Sequence, residues 1–205
     1  MTIKSKKIGI MGGTFNPVHM GHLLLAECAR EQAKLDQILF IPSGYSYMKE
    51  DQNVLSGAER LKLVSLSIAD NPYFSLSDME LTRDGYTYTY ETLELLCKDN
   101  PDAAYFFITG ADSLLSLDRW KFPERILSNC SLVTAVRGDT ELQEVKVAAE
   151  RLEKKYGAHI LLLDMPRTDI SSTDIRARLA SGRSIRYMVP EPVAQYIYEK
   201  QLFIR

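Results

Sequence analysis

The order of elements between Lys7 and Ile41 constrains this chain more than anything else in it. Lys7-Ile8-Gly9-Ile10-Met11 is a short apolar run that fits a buried strand, and Gly12-Gly13 ends it. From Met20 to about Leu35, Leu23, Leu24, Ala26, Ala29 and Ala33 recur at helical spacing. Ile38 to Ile41 is a second apolar run, closed by Pro42-Ser43-Gly44. Strand, helix and strand in this order form one β-α-β unit, whose parallel strands require a right-handed crossover with the helix laid on the sheet. The alternation continues. Helices are predicted over Gly57–Ala69, Thr89–Cys97, Leu142–Tyr156, Ser172–Ala180 and Pro192–Lys200. Strands are predicted over Phe74–Leu76, Tyr105–Thr109, Ser131–Val136 and Ile160–Leu163. Tyr45 to Leu55 reads as a polar loop, and Asp112 to Arg125 carries little regular signal. The expected class is α/β: a doubly wound, Rossmann-like, mostly parallel sheet flanked by helices, with residues 1–205 as a single domain.

Composition narrows the function classes. With 45% hydrophobic and 25% charged residues, the chain is neither disordered nor fibrous. No apolar run approaches the roughly 18 residues of a membrane-spanning helix, and the run after the basic Met1–Lys7 segment is too short for a signal-peptide core. No membrane partner is expected. A net charge of −2 argues against bulk nucleic-acid binding while leaving room for a local basic site. Cys28, Cys97 and Cys130 are odd in number and far apart, so buried thiols in a reducing cytoplasm are expected. Oligomeric state is left open, a homo-oligomer included.

Gly12-Gly13-Thr14-Phe15-Asn16-Pro17-Val18-His19-Met20-Gly21-His22 runs from the first strand into the first helix. Ligands of open α/β sheets bind at that edge. Adjacent glycines let backbone approach a phosphate closely, and the N–H groups of a helix start favour an anion. His19 and His22, three residues apart, would share a helix face. The competing reading is a tight turn with capping or surface histidines. Neither GxxxxGK[ST] nor GxGxxG is present, so the P-loop and the dehydrogenase fingerprint are excluded. The two histidines have no third metal ligand nearby in sequence, and no protein-held metal is expected.

Ile170-Ser171-Ser172-Thr173-Asp174-Ile175-Arg176 opens another helix. Ser171 and Asp174 fit a capping box. The hydroxyls of Ser172 and Thr173, with Arg176 one turn in, also suit a phosphate cradle. Arg176, Arg178, Arg183 and Arg186 against Asp174 make a local basic excess and a candidate polyanion site. Gly85 to Leu93, containing Thr87, Tyr88 and Thr89, is a turn entering a helix, and its residues fit a cap or a ligand contact. Trp120, the only tryptophan, fits the core or a stacking role, and Lys121 follows it. Gly110-Ala111-Asp112 follows a strand, where Asp112 suits an N-cap or a ribose hydroxyl.

His19-Met20-Gly21-His22 resembles the HxGH signature of the nucleotidylyltransferase superfamily, and Ile170 to Arg176 resembles its second signature, ISSTxIR. The longer string Gly12 to His22 is similar to that of bacterial nicotinate mononucleotide adenylyltransferases, in which Asp is usual at the place of Asn16. The resemblance covers nearly the whole chain. It implies that adenylyl transfers from ATP to a pyridine mononucleotide and that pyrophosphate leaves, a step of NAD biosynthesis. It implies ATP contacts from Gly12, Gly13, Thr14, Phe15, His19, His22, Lys49, Ser172, Thr173 and Arg176, with His22, His19 and Arg176 serving catalysis. It further implies mononucleotide contacts that include Thr87, with the nicotinate carboxylate at Tyr88-Thr89, a pyridine ring on Trp120 beside Lys121, and ribose hydroxyls near Gly110 and Asp112. Mg²⁺ would bridge ATP oxygens. The same transfer to nicotinamide mononucleotide or another phosphomonoester, and a nucleotide-binding regulator without turnover, are the alternatives. One departure stands out: where the family commonly shows Pro-Pro-His-Lys, this chain has Ser43-Gly44-Tyr45-Ser46-Tyr47-Met48-Lys49, leaving Lys49 for the basic role.

Overall fold

The structure, a computed structural model, describes residues 5–44, 54–136 and 139–204. Strands β1 (Lys7–Gly13), β2 (Gln37–Pro42), β3 (Phe74–Leu76), β4 (Ala104–Gly110), β5 (Ser131–Val136) and β6 (Ile160–Asp164) form one sheet in the order β3-β2-β1-β4-β5-β6. Every pairing is parallel. The helices are α1 (Met20–Gln32), α2 (Gly57–Ile68), α3 (Thr89–Asp99), α4 (Ala111–Ser116), α5 (Pro123–Asn129), α6 (Asp139–Tyr156), α7 (Ser172–Ala180) and α8 (Glu191–Glu199). The expected doubly wound α/β sheet is the one found.

Strand residues point alternately to the two faces, and the hydrophobic contacts divide accordingly. Met11 and Ile108 pack with Leu25, Leu63, Ile175 and Val193, which places α1, α2, α7 and α8 on one face. Ile8, Ile10, Tyr105 and Phe107 pack with Leu93, Leu114, Ile126 and Val145, which places α3 to α6 on the other. The chain winds outward from β1 to β3, crosses under the sheet, and resumes at β4 beside β1. The carboxyl ends of β1 and β4 therefore flank the point where the winding reverses, where a crevice is expected.

Three sequence expectations need correction. The stretch after Asp112 is not irregular: it holds α4, a 3-10 turn at Leu117–Arg119 and α5. Elements this short never repeat a helical period often enough to be read. Helix α1 ends at Gln32 rather than near Leu35, because Lys34 adopts a left-handed φ of 53°. There Leu35 N–H donates to Arg30 O at 2.8 Å and Lys34 N–H to Glu31 O at 3.2 Å, the double bond pattern that closes a helix. The three cysteines are free but only partly buried, although what burial they have raises all three thiol pKa values, that of Cys130 to about 12. Among the described residues, no helix is long and apolar enough to cross a membrane.

Candidate active site

A cleft of about 830 Å³ opens at the carboxyl edge of the sheet. Four helices present their N-terminal ends to it. Their N-cap residues, His19 of α1, Tyr88 of α3, Gly110 of α4 and Ser171 of α7, all line its wall. Each N-terminus presents the positive end of a helix dipole. A chain of net charge −2 thus concentrates positive potential in one place without a large surplus of basic side chains.

Gly12, Gly13, Thr14 and Phe15 form the floor where β1 ends. Phe15 holds a φ of 49°, unusual for an aromatic residue. Its ring is almost wholly buried, 5.9 Å from Phe40 and edge-on to His22 at 5.1 Å. The His19 and His22 rings stack at 3.7 Å. His19 backbone N–H donates to His22 Nδ1 at 3.2 Å. That bond makes Nδ1 the acceptor, so neutral His22 carries its proton on Nε2. A Cβ at Gly21 would lie 3.1 Å from the His19 ring, so glycine there leaves the ring its place over the helix start.

The second segment is bonded directly to the first. Arg176 Nη1 donates to Asn16 O at 2.9 Å, and Ser172 Oγ donates to Pro17 O at 2.8 Å. Ser171 Oγ accepts from Asp174 N–H at 3.1 Å, so the cap expected there is present. It does not exclude the ligand reading, since Ser171, Ser172, Thr173 and Arg176 all line the cleft. The four-arginine cluster does not hold as a unit. Only Arg176 lines the cleft, while Arg178 pairs with Asp174 at 2.9 Å and Arg183 turns to Ser181.

At the other end lie Thr87, Tyr88, Thr89, Gly110, Asp112, Trp120 and Lys121. Trp120 stands between the core and the cleft. It packs on the core, edge-on to Phe107 at 6.1 Å, and it also faces the cleft. Lys121 Nζ stands 4.1 Å from the centre of the Tyr88 ring, a cation–π contact across the opening. Thr87 Oγ1, Ser43 Oγ and Trp120 Nε1 are buried and meet no hydrogen-bond partner among the described residues. Buried polar atoms of this kind are costly unless a ligand meets them. Lys49 lies outside the described residues.

The sequence reading missed several contributors. Asn16 is buried, and its side chain accepts from Leu55 N–H at 3.1 Å. Arg60 is buried as well; it donates to Thr14 O at 2.9 Å and Leu55 O at 3.1 Å, bracing the glycine turn from below. Burial lowers its guanidinium pKa, and the charge of Glu80 opposes that shift. A signal for Arg60 existed: it shares a helix face with the buried Leu63, Val64 and Ser67. Glu80, which lines the cleft and accepts from Thr92 Oγ1 at 2.6 Å, carried none, being one carboxylate in a polar stretch.

A family model described as cytidylyltransferase-like matches residues 10–178. The chain is 43% identical over 199 residues to the "Probable nicotinate-nucleotide adenylyltransferase" of Lachnoclostridium phytofermentans, covering 97% of this chain and 100% of that protein. It is 44% identical over 197 residues to the protein of the same name from Exiguobacterium sibiricum, covering 96% and 98%. Among solved structures, it is similar to the Plasmodium falciparum nicotinic acid mononucleotide adenylyltransferase complexed with NaAD. The TM-score is 0.77 at 18% identity, covering 97% of each chain, a likeness of fold.

Proposed function

The chain belongs to the cytidylyltransferase-like family and, within it, to the nicotinate-nucleotide adenylyltransferases, and on that premise we propose how its cleft works. The enzyme transfers the adenylyl group of ATP to nicotinate mononucleotide, giving nicotinate adenine dinucleotide and pyrophosphate. An oxygen of the mononucleotide phosphate attacks the α-phosphorus of ATP in line. The bond from that phosphorus to the bridging oxygen breaks, and pyrophosphate leaves with the electron pair. The nucleophile is already anionic, so no covalent enzyme intermediate is needed. Catalysis reduces to positioning and to stabilising charge on the leaving oxygens.

The observation that carries the assignment of roles is the bonding of Arg176 and Ser172 to the Asn16-Pro17 backbone. It brings the two signature segments to one place. There His22 Nε2–H, His19 and Arg176 serve the phosphates, over a floor of Gly12, Gly13, Thr14 and Phe15, with Ser172 and Thr173 at the start of α7. Mg²⁺ would be held mainly by ATP phosphate oxygens and water. Among the described residues no three His, Cys, Asp or Glu side chains converge, and phosphate oxygens and water are a suitable donor set for this hard cation. When bound, the ion offsets phosphate charge.

At the far end, Tyr88 and Thr89 begin α3, where N–H groups favour a carboxylate over an amide. Trp120 covers the ring, and Gly110 and Asp112 face the ribose. Three free cysteines suit a reducing compartment, and we place the enzyme in the cytoplasm. A pyrophosphate-release assay with ATP, Mg²⁺ and a panel of acceptors tests this reading. Nicotinate mononucleotide should exceed nicotinamide mononucleotide in kcat/KM by roughly ten- to a thousandfold, from a helix dipole and one unpaired donor. Equal values would remove Thr89 as a carboxylate anchor. No turnover with any acceptor would leave only a nucleotide-binding protein.

A further inference from the structure

We propose that Asp118 is a positioning residue, which holds the Trp120–Lys121 wall of the cleft in place by bracing it against α6; the assignment of that wall to the mononucleotide rests on the reading above. Asp118 belongs to the 3-10 turn that ends immediately before Trp120. Three groups converge on its carboxylate. Arg151 Nη2 lies 2.7 Å from Oδ2, Lys155 Nζ donates to Oδ1 at 3.2 Å, and Tyr156 Oη donates to Oδ1 at 3.1 Å. All three come from the C-terminal turns of α6, a helix with none of its described side chains in the cleft.

The wall has reason to need a brace. It consists of α4, the turn and α5, with 6, 3 and 7 residues. Helical pieces of that length are unstable without tertiary support. Asp118 ties the middle of this run to α6, and α6 is long and packed on the sheet through Val145 and Leu152. From the turn the constraint passes along two short paths. Trp120 N–H donates to Leu117 O at 3.0 Å, and Lys121 reaches across to the Tyr88 ring at the start of α3. Freeing Asp118 therefore loosens one end of the cleft and leaves the histidine–arginine end as it is.

The test uses the full chain and its single tryptophan as the reporter. Asp118→Ala should raise KM for nicotinate mononucleotide roughly three- to tenfold, as expected for a side chain within a coupled network. KM for ATP and kcat at saturation should stay within about twofold on the same grounds. Acrylamide should quench Trp120 emission more strongly in the ligand-free variant than in the wild type, with the difference shrinking when mononucleotide is added. Arg151→Ala with Lys155→Ala should reproduce both effects and add little to Asp118→Ala. If Asp118→Ala does not fold, Asp118→Asn keeps the side chain's size and an acceptor for Tyr156 while removing the ion pairs, and the same shifts are expected. Unchanged quenching, or an equal rise in KM for both substrates, would overturn the proposal. A wild-type chain that does not turn over nicotinate mononucleotide would overturn the functional reading instead, and quenching would still decide whether the brace exists.

Discussion

His22 Nδ1 takes the His19 backbone N–H, and this one bond determines which ring nitrogen presents a proton. In the role proposed above, that proton serves an oxygen that gains charge as pyrophosphate leaves. A donor to developing charge is worth ~2.7–4 kcal/mol, or ~10²–10³ in rate. His22→Ala should therefore lower kcat by about that factor. His22→Asn keeps an acceptor for the His19 N–H and a donor toward the cleft, and should lose less. Steady-state kinetics with purified variants, alongside melting curves, check this. Wild-type kcat in His22→Ala would remove the histidine from the chemistry.

Among elements, the join between the end of β2 and the segment before α3 leaves no room for a side chain at Gly44. A Cβ on Gly44 would press on the Glu80 backbone carbonyl oxygen and lie 2.8 Å from Thr87 Cγ2. A backbone oxygen cannot swing aside as a side-chain tip can, so the segment carrying Glu80 and Thr87 would have to move. Gly44→Ala should cost about 1–3 kcal/mol of stability, in the range of overpacked sites. Its kinetic effect should fall on KM for the mononucleotide, because Thr87 lines the part of the cleft proposed above to hold it. Urea unfolding and KM for both substrates measure the two parts. A variant as stable as wild type would show that the segment yields freely.

For the whole molecule, acid sensitivity follows from three carboxylates below their ordinary range. The hydrogen bond from Arg30 lowers Glu27, and that from Arg125 lowers Glu94. Burial pushes Asp118 up, but the bonds from Lys155 and Tyr156 and the charge of Arg151 outweigh it, leaving it lowered. A carboxylate with a lowered folded pKa binds its proton more readily in the unfolded chain. Its contribution is complete above the unfolded value of about 4 and is lost as pH falls through the folded value. The urea midpoint should hold steady near neutrality and decline below about pH 4.5. In Asp118→Asn the decline should be shallower. A midpoint independent of pH down to about 3 would show that these pairs contribute nothing to stability.

Local pattern alone determined the fold class. Apolar runs such as Ile8–Met11 and Ile38–Ile41, separated by helical periodicity, leave a parallel α/β sheet as the way to bury them. The candidate site was legible to the extent that its chemistry is contiguous. The Gly12–His22 and Ile170–Arg176 strings each carry glycines, histidines, hydroxyls or arginine at a helix start. What remained hidden depends on contacts between distant positions. Arg176 reaches the Asn16 carbonyl, Arg60 the Thr14 carbonyl, and Asp118 the last turns of α6. Four helix N-termini converge only because the sheet reverses its winding between β1 and β4. Sequence spacing records the periods of helices and strands, which are short-range, but not the sheet order, which arises from packing the finished elements together. The longer elements were thus determined locally, while the short helices α4 and α5, the cleft, its braces and its unpaired hydroxyls were decided by the tertiary fold.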